Sequence, residues 1–446
     1  MCVDVGSTYT KASLIDGQAG AVCGTAQVPT TVDTDVWDGV RQVRDQLAAR
    51  DAHAPAVDDR DRVRICSSAG GGLRLAVVGF ERVVSAEAGQ WVALSAGARI
   101  VHICDGDLGH SDIASLRESM PDLVLLVGGT DGGNSGTLLR NAATLAGAGL
   151  SAATIVAGNN AAAPQARDII AAAGGVALCA DNVLPRIGHL APESARGAIR
   201  SAFLQHVIAG KALSSHRGFA ASVRAPTPDA VLDGVAVLRA VADQDVMVID
   251  IGGATTDVYS ALLPYGEDQA LAKDVIGLLP LARSVEADLG MRHSAPGVLR
   301  AALSEGVVLP PLDALSHWVE QAAARPDRVP RSEVERRCDG QLARHAAVLA
   351  ARRHGRPAAP GHPPRALSDV GILVGSGGVL RHSDRSASTA VLQAVLNDHG
   401  GGWRPPARAR LVVDRAYLLA GIGLLAQDYP HVAATLAASL LDENST

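Results

Sequence analysis

The sequence predicts an α/β fold with two related lobes and an additional α/β segment, and three observations carry that prediction. Two phrases open alike: Asp4-Val5-Gly6-Ser7-Thr8 and Asp250-Ile251-Gly252-Gly253-Ala254-Thr255-Thr256-Asp257. Each runs from an apolar stretch through Gly into Ser or Thr and on to a second apolar stretch. A strand–strand–strand–helix–strand–helix plan read over residues 1–66 is partly repeated after residue 246. Between these parts, residues 73–190 alternate helical and strand-like segments in the rhythm of βαβ crossovers and a parallel sheet.

Composition agrees with this outline. At 446 residues the chain is too long for one ordinary core, so two or three domains are expected. Apolar residues make up 48% but aromatics only 3%, a bias toward Ala, Val, Leu and Ile that suits alternating strands and helices. A formal charge of −6 supplies no general basic field for nucleic acid or an anionic membrane. The six cysteines are scattered without a CxxC pair, which speaks against a disulfide framework or zinc site and for a reducing compartment. The chain runs almost at once into the Asp4 phrase, without a basic-then-apolar leader, and its compact apolar block at 416–426 is too short to span a bilayer. A soluble cytoplasmic protein with no nucleic-acid or membrane partner is expected.

Residues 1–72 read as the first part of lobe I. Segments 3–5, 12–15 and 21–28 are candidate strands with Gly-containing turns between them. Val36, Val40, Val43 and Leu47 follow helical spacing, so a helix is predicted over 36–49, followed by a buried strand at 63–66 and a flexible turn at 67–72. Residues 73–190, inserted in or appended to that lobe, read as helices 87–98, 111–119, 134–146 and 162–173 alternating with strands 99–104, 122–127, 153–157 and 175–179. The run 123–127 is continuously apolar, as a strand covered on both faces should be. Residues 191–243 read as connecting helices, interrupted by Ala225-Pro226-Thr227-Pro228.

Residues 244–430 form the predicted second lobe. Strand 246–251 leads into the second phrase, and 258–263 is its partner. Helices and an Arg-rich stretch at 325–353, read as a solvated helix face, follow. The Pro-rich run 352–366 is a loop; strand 371–374, a helix near 386–397, strand 411–413 and helix 416–426 complete the lobe, with 431–446 as a C-terminal tail.

The chemistry sits in the turns. Gly6 lets backbone approach an anion, Ser7 and Thr8 supply donors, and Lys11 adds a cation nearby; an ordinary Asp-Gly hairpin is an equal reading of this turn alone. The second turn is richer, with Gly252 and Gly253 for close approach, hydroxyls at Thr255 and Thr256, and acids at Asp250 and Asp257 able to face one site. A third turn, Gly375-Ser376-Gly377-Gly378, lies between a buried strand and a helix, where it makes room for a flat ring. Gly128-Gly129-Thr130-Asp131-Gly132-Gly133-Asn134 also joins a strand to a helix; it reads equally as an anion site or as a tight loop capped by Asp131 or Asn134. His102, His110 and His206 show no metal-binding spacing.

In order and spacing the three turns resemble the first phosphate, second phosphate and adenosine motifs of the actin-like ATPase superfamily, which includes sugar kinases, heat-shock chaperones and actin. Longer phrases sharpen the resemblance: residues 4–11, Gly24-Thr25-Ala26-Gln27 with Thr30-Thr31-Val32, 67–74, 128–134, Ala157-Gly158-Asn159, and Val285-Glu286-Ala287-Asp288-Leu289-Gly290-Met291-Arg292. Together, over roughly residues 3–430, these resemble the glutamate mutase accessory protein family called MutL (GlmL-type), unrelated to the mismatch-repair protein of that name. Ala287 departs from it, standing where Gly is expected.

The resemblance implies two ribonuclease H-like lobes closing on ATP and Mg²⁺. It places Asp4 and Asp250 on the metal, through its waters. Gly6, Ser7, Thr8, Gly252, Gly253, Thr255 and Thr256 fall around the phosphates, and Gly375, Gly377 and Gly378 beside the adenosine. Lys11 would neutralise developing charge, or else be a solvent-facing strand lysine, and Asp257 would orient the attacking water or accept its proton. The implied role is an ATP-hydrolysing chaperone or reactivating factor for an adenosylcobalamin-dependent mutase subunit. A small-molecule kinase and a non-catalytic nucleotide-binding scaffold are the alternatives, and a homo-oligomer is left open.

Overall fold

The computed structural model describes residues 1–81, 85–211, 213–263, 280–307, 312–357, 365–406 and 408–442. They fall into two compact units, the first drawing on residues 1–16 and 22–231, the second on 17–21, 232–263 and 280–442.

The first unit carries two sheets. One combines β1 (Cys2–Val5), β2 (Tyr9–Asp16), β3 (Ala21–Pro29), β4 (Arg64–Ser67) and, much later in the chain, Val223–Pro226. The other is a parallel sheet of β5 (Leu73–Gly79), β6 (Ala98–Asp105), β7 (Leu123–Leu126), β8 (Ala153–Val156) and β9 (Ala177–Cys179), which makes Val223–Pro226 strand β10. In the second unit lie β11 (Val246–Ile251), β12 (Thr256–Ala261), β13 (Leu281–Glu286), β14 (Ile372–Ser376) and β15 (Arg410–Val413).

The first and third sheets have one plan. The orders are β3-β2-β1-β4-β10 and β13-β12-β11-β14-β15. In each, the opening strand pairs antiparallel with the next and parallel with the one that follows the helical segment. The ribonuclease H-like sheet of the actin-like ATPase fold is thus present twice. The pairing places Asp4 opposite Lys11 in the first sheet and Asp250 opposite Asp257 in the third.

Three strands escape the sequence reading. Val223–Pro226 falls in a segment expected to be helical connection, yet it pairs with β4 at the edge of the first sheet. An edge is the place where proline, which cannot donate to the ladder, is tolerated. Leu73–Gly79 is flanked by a Gly run that reads as a turn, and β13 carries Arg283 and Glu286 within six residues.

The middle sheet has the order β6-β5-β7-β8-β9, with the direction of winding reversing between β5 and β7. Its strands are covered on both faces, as the apolar run predicts. Leu75, Val77, Leu123, Leu125 and Ile155 belong to the core shared with helices 87–95 and 193–202. Ala76, Val78, Val124, Leu126 and Val156 pack with Leu116, Leu138, Ala142 and Ile170 on the other side.

Helix Val36–Ala48 buries Val36, Val40, Val43 and Leu47, and Asp35 caps it by accepting from the Trp37 N–H. The 23-residue helix Glu333–Gly355 lies in the core of the second unit and opens with a capping box between Ser332 and Glu335. The reading of residues 325–353 as a solvated face holds for Arg336 and Arg337 but not for its far end. Arg352 is buried against Asp398, and Arg353 binds Glu286, Asp288 and Glu305. Residues 431–442, expected as a tail, continue helix Pro430–Asp442 and pack through Ala433, Leu436, Ala437, Leu440 and Leu441. Of the loop expected at 352–366, residues 358–364 lie outside the described residues, as does the end of the chain at 443–446. Among the described residues no helix is long and apolar enough to cross a membrane.

Candidate functional site

The turn after β11 is closed by one backbone bond, Gly252 N–H to Thr255 O at 2.9 Å. A Cβ on Gly252 would stand 2.9 Å from that same oxygen, so the turn needs glycine. The carbonyls beyond it are all drawn to one side. Gly252 O accepts from Met291 N–H at 3.0 Å, and Gly253 O from Arg292 and His293 N–H at 2.8 and 3.0 Å. Ala254 O accepts from the Ser294 hydroxyl at 2.7 Å.

Those bonds fix the opposite side as well. Across a planar trans peptide the C=O of one residue and the N–H of the next point in opposite directions. With three successive carbonyls tied back, the N–H groups of Gly253, Ala254 and Thr255 are turned outward. None of the three donates to a protein acceptor among the described residues. A row of outward amides is an anion-binding concavity. The phrase 285–292 is therefore a buttress. Gly290 is required in it because a Cβ there would lie 2.4 Å from Ala254 C and 2.7 Å from Gly253 O.

The side chains of the hairpin divide between its faces. Asp257 accepts from Arg283 of β13, through Nε at 2.9 Å and Nη2 at 2.6 Å on Oδ1. Its Oδ2 accepts from the Thr255 hydroxyl at 3.0 Å. Arg283 is buried beside the Tyr259 ring, 5.9 Å from its centroid. Burial works to lower the Arg283 pKa, but the Asp257 carboxylate and the Tyr259 oxygen hold it above its ordinary value. Burial, reinforced by Asp257, pushes the Tyr259 phenol well up. Thr256 faces the other way: its side chain is fully buried and its hydroxyl donates to Leu289 O.

The turn after β1 repeats the backbone geometry. Gly6 N–H donates to Tyr9 O at 3.1 Å, and a Cβ on Gly6 would lie 2.8 Å from that oxygen. Thr30 is the buttress here, its hydroxyl donating to Gly6 O at 2.8 Å and its N–H to Thr8 O at 2.9 Å. By the same peptide argument the N–H groups of Ser7 and Tyr9 turn away from Thr30. Asp4 is buried, accepts from the Thr227 hydroxyl at 2.6 Å, and has Lys11 Nζ 3.9 Å from its other oxygen. Ser7 is exposed, while Thr8 and Lys11 are half-buried. The turn at 67–72, expected to be flexible, is held by Lys211, whose Nζ donates to Gly70 O at 3.0 Å and Gly72 O at 2.6 Å and sits 3.1 Å from Asp122.

In the second unit the third turn adjoins the second. Ser376 neighbours Asp250 in the parallel register of β14 and β11. Gly377 has φ +99°, and a Cβ there would lie 2.2 Å from Ile251 O, so only glycine lets this loop cross the end of β11. A Cβ on Gly375 would stand 2.6 Å from Leu380 Cδ1, which sets the close approach of helix Gly378–His382. Gly378 itself borders open space.

The loop after β7 is a clasp. Asp131 accepts at Oδ1 from Asn160 N–H (3.0 Å) and Asn182 Nδ2 (2.9 Å), and at Oδ2 from Asn160 Nδ2 (3.0 Å). Asn182 also donates to Gly129 O, and Asn159 to Gly133 O. The loops after β7, β8 and β9 are thereby tied together, Asp131 being taken by Asn160 and Asn182 and Asn159 by backbone.

Sequence reasoning missed Thr30, Arg283, Thr227 and Ser294 as partners of these turns. Thr30 lay inside a quoted phrase and Ser294 just beyond one. For Arg283 the signal lies in the repeated plan, whose third strand in the second unit falls at Leu281–Glu286.

The family model described as "MutL: MutL protein" matches residues 1–441. A curated relative, "Protein MutL" from Clostridium tetanomorphum, is 32% identical over 451 residues and covers 96% of each chain. The chain belongs to the MutL family. Solved structures similar to this MutL-family chain include a ROK hexokinase from Thermus thermophilus (TM-score 0.26, 14% identity, 99% and 98% of the two chains covered). Component A of (R)-2-hydroxyglutaryl-CoA dehydratase from Acidaminococcus fermentans gives a TM-score of 0.30 at 11% identity over 98% and 97%. The doubled sheet and its paired turns stand on the chain's own geometry.

Proposed function

We propose that this MutL-family protein binds Mg·ATP, hydrolyses it slowly, and serves as an accessory or reactivating factor for an adenosylcobalamin-dependent mutase. The observation that carries the nucleotide reading is the row of outward N–H groups at Gly253, Ala254 and Thr255, held by bonds to the carbonyls behind them. Membership of the MutL family supports the accessory role.

In this proposal Gly6 and Gly252, whose own N–H groups close the turns, let the backbone approach the phosphates, and Ser7, Thr8, Gly253 and Thr255 lie around them, with Ala254 N–H in the same row. Thr256 supports its turn from behind, its hydroxyl being spent on Leu289 O. Gly375, Gly377 and Gly378 border the adenosine, at the turn beside Asp250. Asp4 and Asp250 hold Mg²⁺ through its waters. Among the described residues no group of three or more His, Cys, Asp or Glu is gathered to hold a metal. Mg²⁺ dehydrates reluctantly and keeps several waters, so one carboxylate beside a turn that faces phosphate is the kind of ligand it takes. When bound, the ion would neutralise phosphate charge.

Lys11 adds positive charge beside Asp4. Asp257, held in place by Arg283, orients the attacking water or accepts its proton. Hydrolysis then changes the state of the protein and makes no new metabolite.

The experiment is co-purification with a cobalamin-dependent mutase and recovery of the inactivated mutase by ATP in the presence of this chain. Recovery that needs hydrolysable ATP is expected. Labelled γ-phosphate appearing on a small metabolite would contradict the proposal and mark a kinase instead.

A further inference from the structure

We infer that Thr255 meets the nucleotide as a hydrogen-bond acceptor, so that its side chain serves the hydrated cation and not a phosphate oxygen. The inference rests on the Mg·ATP reading above and deepens it. A threonine hydroxyl has one proton and two lone pairs. The proton of Thr255 is committed to Asp257 Oδ2 at 3.0 Å. Asp257 stands on the accepting side of that bond, its other oxygen already taking both Nε and Nη2 of Arg283.

Half-exposed beside the turn, the Thr255 oxygen therefore offers only lone pairs to whatever lies before it. Phosphate oxygens are acceptors too and find no partner in it. A metal-bound water, polarised into a strong donor, does. Thus Arg283 and Asp257 are positioning residues: they set the polarity of one hydroxyl. The outward N–H groups of Gly253, Ala254 and Thr255 are left to serve the phosphates.

Reversing the middle link should reverse the polarity. In Asp257→Asn the carboxamide oxygen must stay with Arg283, since an NH₂ group cannot accept its bonds. The NH₂ then faces Thr255, which becomes the acceptor of that bond and turns its own proton outward.

The test is calorimetric titration of ADP into the full-length protein, once in Mg²⁺ and once in EDTA. Thr255→Val should lose about tenfold in affinity for Mg·ADP, the scale of a hydrogen bond to a charged partner, and stay within about twofold for metal-free ADP. Thr255→Ser keeps the hydroxyl and should match wild type in both buffers. Asp257→Asn should lose the Mg²⁺ advantage while binding metal-free ADP no more weakly than wild type. Equal losses in both buffers for Thr255→Val, or weakened metal-free binding in Asp257→Asn, would overturn the inference and leave the nucleotide reading standing. No ADP affinity of the wild type in either buffer would overturn both.

Discussion

Asp250 and Asp257 lie directly opposite each other across the β11–β12 hairpin, where the first sheet sets Asp4 opposite Lys11. Two carboxylates facing each other on neighbouring strands repel. The third sheet supplies the missing positive charge from one strand further along, in Arg283. The two hairpins thus reach the same backbone geometry with different charge arrangements.

Arg283→Met should destabilise the protein by about 3 kcal/mol, because it leaves Asp257 without its buried counter-charge and close to Asp250. Urea denaturation at neutral pH checks it. A loss below about 1 kcal/mol would mean that the pair contributes little.

Gly290→Ala should cost at least about 2 kcal/mol and abolish nucleotide binding, since the new methyl meets backbone that cannot move without shifting the 252–255 turn. Thermal unfolding and calorimetry on the same sample measure the two effects. An alanine variant of wild-type stability and affinity would show that the buttress is not needed.

Ser294→Ala separates binding from folding more gently. It removes the hydroxyl that donates to Ala254 O at 2.7 Å and Ala287 O at 2.9 Å. The expected loss of stability is about 1 kcal/mol, and nucleotide affinity should fall roughly fivefold as the Ala254–Thr255 peptide gains freedom to rotate. Thr30→Val should act likewise on the first turn. Unchanged affinity in both would contradict the role given to the carbonyl ties.

Stability should also fall in mild acid. His345 is buried in helix Glu333–Gly355, its Nε2 has no hydrogen-bond partner among the described residues, and burial, with Arg344 nearby, lowers its pKa from 6.5 to about 4. Between those values the unfolded chain takes up a proton that the folded chain refuses. The contribution of His345 is therefore complete above pH 6.5 and is lost as pH falls toward 4, to a limit of about 3 kcal/mol. Denaturation curves of wild type and His345→Leu at pH 7 and 4.5 measure it; the variant should lose less on acidification.

The turns were legible in the sequence because their residue types are the mechanism. Asp, Gly and Thr at fixed offsets between apolar runs permit few other structures, and the repeated phrase pointed to the repeated sheet. What holds the turns in place was not legible. Met291, Arg292 and His293 act through backbone N–H groups, which every residue but proline carries, so their identities announce nothing. Thr227 reaches Asp4 across 223 positions, and β10, which ends at Pro226, reads as a break between helices until its edge position is known. Gly290 and Gly129 showed only as glycines within phrases; their need became visible with the backbone atoms a Cβ would strike. Nothing in residue type distinguished Thr255 from Thr256, whereas strand alternation turns one outward and buries the other.

Binding of Mg·ATP, measured by calorimetry on the wild-type chain beside Asp250→Ala and Asp4→Ala, tests the central claim most directly. The account predicts saturable binding by the wild type and its loss in both variants. A wild-type protein with no measurable affinity for the nucleotide, or variants that bind as it does, would contradict it.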